Sequence, residues 1–372
     1  MAKAKKNENK LGGLVVKMLL SLLLITLVSF NASPVAAADA KPIELKWAVF
    51  VTKDLHSMPP LIQWTKDIEA QTKGAVKIKL YFAGEIAETK DLVPLCRTGS
   101  IEVISTPPVY YTGLFPLNAV LQTYYPLNKT VQEAVYSWRG LFRDIPEIQE
   151  EFAKQNMYLI NRSCLGTYKL ISKKPVRNLE DTKGLKMRII GGEYPSKLVK
   201  AAGAVAVFQA MQDVYEGFMR GVTDGVLLDV PAIATYRLYE IGKYVGFPWG
   251  SVLGWSTSIN LDVWNKMSPE IKAVIQKTAV EWGARDLQNM LTNEVKYTKQ
   301  LKDQGVQFLD FDQNDWKKIV ADAGDPYEDC RQYLQGAKVD AAVVDKFIKR
   351  WHQLNTEYEK NYLTPGKEWQ YQ

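Results

Sequence analysis

The sequence predicts an α/β protein of two lobes with one long helix spanning both, and three observations carry that prediction. Short apolar strand-like runs alternate with helical patterns between residues 44 and 228, the arrangement that builds parallel sheets. The alternation restarts near Tyr158, as a second lobe requires. From Ser268 the pattern turns helical and keeps a 3.6-residue period as far as Gly305.

The first forty residues read as an export signal. Lys3, Lys5, Lys6 and Lys10 precede the apolar run Met18–Phe30, and Ala32-Ser-Pro-Val-Ala-Ala-Ala-Asp-Ala40 offers small residues for cleavage after Ala37, Ala38 or Ala40. The run is short of the about 20 apolar residues a bilayer helix needs. A soluble exported chain of about 330 residues is therefore expected in the periplasm. The leader carries five Lys against Glu8 and Asp39, so the formal +6 falls to +3 after Ala40. That excess is too small to imply nucleic acid.

In the first lobe, Glu44–Val51 and Val76–Phe82 read as strands on either side of a helix from Met58 to Thr72. A helix from Glu88 to Thr98 leads to a third strand, Ile101–Ser105. Its carboxyl end, Thr106-Pro-Pro-Val-Tyr-Tyr111, forms an aromatic loop where open α/β sheets collect ligands. The second lobe reads as strands Tyr158–Cys164, Tyr168–Ser172, Leu185–Ile190, Val205–Phe208 and Val226–Leu228, with helices at Tyr194–Ala202 and Asp213–Gly221. Gly246-Phe-Pro-Trp-Gly250 reads as a loop returning to the first lobe. The helix from 268 to 305 is about 50 Å long at 1.5 Å per residue, enough to serve both lobes as a spine, with a bend expected at Gly283. Tyr327–Tyr362 mixes aromatics and charges at helical spacing and covers the lobes. The implied division is 1–40 leader, 41–163 first lobe completed by about 252–267, 164–251 second lobe, 268–305 spine and 306–372 helical cover.

Chemistry concentrates at Asp181-Thr-Lys-Gly-Leu-Lys-Met-Arg188-Ile-Ile-Gly-Gly192, where one arginine sits in an apolar strand that ends in a flexible turn. A guanidinium there matches a carboxylate with a two-point fork and stays charged without water. Cys96, Cys164 and Cys330 lack metal spacing, and buried or partly buried thiols are expected with any bridge left open. Only His56 and His352 are histidines, and no Gly-x-Ser-x-Gly or His-Glu-x-x-His motif occurs. No catalytic site, metal or cofactor is expected.

Several of these stretches occur together in one order: Gly166-Thr167, Leu179-Glu-Asp-x-Lys-Gly-Leu-Lys-Met-Arg188, Tyr-Pro-Ser-Lys-Leu, Ala202-Gly-Ala204, Asp-Val-Tyr-Glu, Gly221-Val-x-Asp-Gly225, and Trp264 before Met-Ser-Pro-Glu. That ordered set resembles the solute-binding proteins of TRAP transporters, in the C4-dicarboxylate-binding (P-subunit) branch. The resemblance implies a two-lobed periplasmic solute-binding fold that captures an organic acid and hands it to small and large membrane permease subunits, without catalysis. It also assigns the ligand carboxylate to Arg188. Members for sialic-acid-type ligands often carry a second arginine after Gly-Thr and an asparagine in a later strand; here Tyr168 stands at the first position and Leu228 and Asp229 lie close to the second. Tyr168 can stack on or donate to a ligand, and Asp229 can accept from a hydroxyl or amine. Lys169 replaces the missing cation only if it points inward, which alternation opposes if Tyr168 does.

Further wall candidates are Glu88, Thr106, Tyr110, Met211 and Trp249, Met211 through the family position before the Asp-Val-Tyr helix. The aromatic bias suggests a monocarboxylate with an apolar body. His56 is expected as a solvated loop residue, although it precedes a helix amino end. Two other classes share these features: a receptor for another importer or signalling system, and an exported enzyme using Glu85 and Glu88 as an acid pair.

Overall fold

The computed structural model describes residues 41–124, 127–363 and 369–371. The leader assigned to residues 1–40 lies outside the described residues. Among the described residues the strands are β1 (Ile43–Val49), β2 (Val76–Phe82), β3 (Val103–Thr106), β4 (Met157–Ser172), β5 (Lys186–Ile189), β6 (Val205–Phe208), β7 (Gly225–Asp229), β8 (Tyr244–Asn260) and β9 (Gln307–Phe308). They form one sheet in the order β2-β1-β3-β8-β4-β7-β5-β6, with β9 pairing β8.

The strand–helix–strand pattern gives parallel pairing, as the sequence implies. β1 is parallel to β2 and β3, and β5 is parallel to β6 and β7. Between these two trios run β4 and β8, antiparallel to each other for most of their length. The end of β8 runs between β3 and the start of β4, where Val103 meets Ile259 and Met157 meets Asn260. The end of β4 lies beside β7, where Tyr168 meets Asp229. Both strands therefore pass from one trio to the other. Their register slips between Leu159 and Asn161, Arg162 and Cys164, and Cys164 and Thr167, and such bulges bend a strand locally.

Here the structure corrects the sequence reading. Residues 158–172 belong to one 16-residue strand rather than two. Gly246–Gly250 lies inside the 17-residue β8 and is not a loop. Bulges make room for Pro248, since Lys169 and Leu170 both fall at register slips, and Phe247 and Gly250 adopt φ of 57° and 112°.

The spine is a single helix, Pro269–Asp303, capped by Ser268, whose Oγ accepts the Ile271 N–H at 3.3 Å. It packs on the first helix, Met58–Gln71, through Trp64 stacked on Trp282 at 4.6 Å, and the Trp64 indole donates to Thr278 Oγ1 at 3.0 Å. Near its middle it packs on β4, and Asp286 Oδ2 accepts the Cys164 N–H at 2.9 Å. Gly283 is where Tyr371 seats: a Cβ there would lie 2.1 Å from the Tyr371 hydroxyl. No helix among the described residues is long and apolar enough to cross a membrane.

Two further helices pack here, one within the Tyr327–Tyr362 stretch expected to be helical and one, Val131–Asp144, for which the sequence reading made no assignment. Val131–Asp144 is opened by Thr130, whose side chain accepts from Glu133 N–H, while Glu133 accepts from Lys129 N–H. That Thr-x-x-Glu signature was legible. Ala341–Tyr362 packs against this helix, with Tyr136 beside Tyr358 and Tyr362. Cys96, Cys164 and Cys330 are buried and unbridged.

Candidate functional site

Arg188 lies near the end of β5, hydrogen-bonded in register between β6 and β7. Three features place it there. Asn178 caps the short turn Leu179–Thr182 that feeds the strand, and Lys186, Arg188 and Ile190 alternate with Met187 and Ile189 along it. Gly191 and Gly192 then turn the chain at φ of 128° and 95° into the helix Glu193–Ala201. At Gly192 a Cβ would fall 2.7 Å from Thr123 Cγ2, so only glycine allows that approach.

The Arg188 side chain is 1% exposed. Its Nε and Nη2 donate to the Gln209 carbonyl at 3.0 and 2.9 Å, and Nη1 donates to the Leu227 carbonyl at 3.4 Å. These bonds fix the guanidinium but leave one hydrogen unused on each terminal nitrogen, and two such donors suit a carboxylate fork. Among the described residues no carboxylate pairs with it. A buried guanidinium without a counter-anion is costly unless something supplies one.

Arg188 faces a cavity of about 470 Å³, part of it open to solvent. Five of the eight expected residues line it: Arg188, Tyr168, Met211, Asp229 and Tyr110. Tyr168 and Asp229 face each other across the β4–β7 register. Met211 opens a turn at 211–213, and Tyr110 sits in the turn Pro108–Tyr111 after β3. Burial pushes the Tyr110 phenol up, while the Arg188 charge and a Met211 backbone hydrogen bond pull it down. Phe50, Trp255 and Tyr236 complete an aromatic wall, with Tyr110 edge-on to Phe50 at 6.3 Å and to Phe208 at 6.4 Å. Among the described residues the buried Trp255 indole N–H finds no acceptor.

Three expected residues lie elsewhere. Glu88 is exposed before the turn Thr89–Asp91, as is Glu85, so the proposed acid pair faces solvent rather than the cavity. Thr106 is buried at the end of β3, and it is the next residue, Pro107, that reaches the lining. Trp249 packs with Phe247 and Trp316 beside the helix Gln313–Ala323, outside the cavity lining. Lys169 also points away, its ammonium 5.9 Å from the Phe308 ring.

His56 reverses its expectation. It is 4% exposed, lines the cavity, and sets Nε2 3.2 Å from Asp229 Oδ1. Asp229 caps the helix Val230–Thr235 by accepting the Ala232 N–H at 3.0 Å; the Asp-Val-Pro at 229–231 was the signal for that cap. The His56 carbonyl takes hydrogen bonds from Asn289 and Asn293 of the spine at 3.0 and 3.3 Å. Nothing in the sequence near His56 announces those distant partners.

The arrangement gives one fixed cation, an aromatic body and an acidic pole in one enclosed space, the makings of a binding site for a small acid. Comparison with known proteins agrees with a binding role. A sialic acid-binding periplasmic protein, SiaP, of Vibrio cholerae is 28% identical over 244 residues, covering 64% of this chain and 74% of that protein. A monocarboxylate 2-oxoacid-binding periplasmic protein of Nostoc sp. is 24% identical over 266 residues, covering 68% and 71%. The structure of a TRAP periplasmic solute-binding protein from Desulfovibrio salexigens, with bound orotic acid, shares the two-lobed fold at a TM-score of 0.74 and 19% identity, covering 84% of this chain and 99% of that one. The sequence model of the DctP family matches residues 59–332, and the chain belongs to this family, the bacterial extracellular solute-binding proteins of family 7.

Proposed function

We propose that this chain is the periplasmic receptor of a TRAP transporter, which captures a small carboxylic acid between its lobes and delivers it to the small and large membrane subunits. The observation that carries the reading is Arg188: buried, fixed by two backbone carbonyls, and without a carboxylate partner among the described residues. A ligand carboxylate supplies the missing anion. A charge-assisted pair of this kind contributes about 1.5–3 kcal/mol or more.

Among the described residues Arg188 is the sole arginine or lysine in the lining, which it shares with Phe50, Tyr110 and Trp255. That composition favours a monocarboxylate with an apolar body over a dicarboxylate held by two arginines. Membership in a family of binding receptors, together with the exposure of Glu85 and Glu88, favours capture over catalysis. We place the lobe boundary at 163/164 and 251/252, supported by the register slips of β4 around Cys164; bending there would open and close the cleft.

A thermal-shift screen against mono-, di- and 2-oxo acids, aromatic acids and neutral sugars tests the reading. A true ligand at about 100 times its dissociation constant stabilises by roughly 2.7 kcal/mol. Stabilisation by one acid class in the native protein, lost in Arg188→Ala, is expected. Stabilisation by sugars, or by acids equally in both proteins, would overturn it.

A further inference from the structure

We propose that Asp229, with His56 beside it, forms a second pole of the cavity that accepts a hydrogen bond from the ligand, so that the preferred acids carry an ammonium or hydroxyl group beside the carboxylate. The inference rests on the carboxylate reading above and names the substrate class within it.

Asp229 is 1% exposed, and its Oδ1 is already engaged by the Ala232 N–H and approached by His56 Nε2 at 3.2 Å. Among the described residues nothing donates to Oδ2. Both residues line the cavity, and neither nitrogen of the buried His56 ring has a well-formed hydrogen bond. A carboxylate oxygen buried without a donor is as much a ligand-shaped deficit as a guanidinium buried without an acceptor.

The separation of the two poles limits the ligand. Arg188 Nη1 bonds the carbonyl of Leu227, and Asp229 is only two residues further along the same strand, a backbone rise of about 6.6 Å at 3.3 Å per residue, so both poles border one short stretch of β7. Carboxylate and donor must therefore lie a few bonds apart on one small molecule. The surroundings favour a donor as well. Glu294 of the spine stands close to Asp229: a Cβ on Gly166 would lie 3.1 Å from Asp229 Cβ and 3.8 Å from Glu294 Oε2. Lys169 does not offset these acids in the cavity, since its ammonium lies 5.9 Å from the Phe308 ring and away from the lining. An acceptor-rich pole repels the oxygen of a 2-oxo acid and welcomes an ammonium or hydroxyl.

Isothermal titration of the purified protein with two matched series tests the inference: propionate, pyruvate, lactate and alanine, then 3-phenylpropionate, phenylpyruvate, 3-phenyllactate and phenylalanine. In a series that binds, the amino or hydroxy acid is expected to bind at least about tenfold more tightly than the bare and 2-oxo acids. The better of the two identifies the donor. Asp229→Asn, which keeps a helix-capping oxygen, should compress that preference to within about threefold. His56→Gln should reduce the preference by a larger factor than it weakens the bare acid, which a merely structural histidine would not do. Equal or tighter binding of the bare or 2-oxo acid to the native protein overturns the inference, as does a preference that survives in Asp229→Asn. Binding of acids without donor preference sinks this inference alone, whereas failure of every acid in both series sinks the carboxylate reading and this inference with it. Should a variant fail to fold by circular dichroism, the ranking on the native protein decides.

Discussion

Asp286→Asn isolates the contribution of one buried carboxyl to the pH dependence of stability. Asp286 sits in the spine helix, 2% exposed, and accepts the Cys164 N–H. Burial raises its pKa to about 7, opposed by hydrogen bonds from Cys164 and by the charge of His56. The unfolded chain titrates near 3.9, so the folded protein binds the proton more tightly. Its stabilisation is complete below about pH 4 and is lost as pH rises through 7. Integrating over that shift, the loss between pH 5 and pH 8 is about 3 kcal/mol, or on the order of 5 °C in Tm for a chain of this length. Scanning calorimetry at the two pH values, on the native protein and on Asp286→Asn, reads this as a difference of differences. Glu133 and Glu151, which burial also raises to about 7, cancel in the comparison. Asparagine keeps an oxygen for Cys164 and cannot ionise, so the variant should lose less stability on going to pH 8. An unchanged pH dependence, within about 1 °C, would refute the reasoning.

Three further outcomes are expected. Arg188→Lys should weaken any bound carboxylate by roughly 10- to 100-fold, because an ammonium cannot bond two carbonyls and present a planar fork together; titration against the acid found by screening measures it. Gly283→Ala should cost about 1–3 kcal/mol by forcing its Cβ onto the Tyr371 hydroxyl, also breaking the 2.8 Å bond from Arg139. Chemical denaturation should find that penalty largely gone when residues 369–372 are deleted. Trp249→Ala should cost about 3–5 kcal/mol through the cavity left beside Phe247 and Trp316, with the order of ligand preferences unchanged in a thermal-shift series.

Much of the frame was legible because it rests on local periodicity. Alternation marked β1 and β2, a short apolar run marked β6, and the spine was readable from its 3.6-residue spacing to within two residues at either end. Arg188 stood out because a charged residue in an apolar strand before two glycines is a local anomaly. Trp249 was misread for the complementary reason. Its neighbours suggested a loop, and only the tertiary structure shows a strand there, with the indole packed against Phe247 and Trp316.

The sequence by itself determined the alternating elements, the spine and the cation at the end of β5, since each depends on residues close along the chain. The tertiary structure alone decided that β4 and β8 each run through both halves of the sheet and that Glu88, Thr106 and Trp249 miss the cavity. It alone decided, too, that His56 meets Asp229 across 173 positions of sequence. Contacts of that span are set by sheet register and by the packing of the spine, and neither leaves a periodic trace in the residues that it joins.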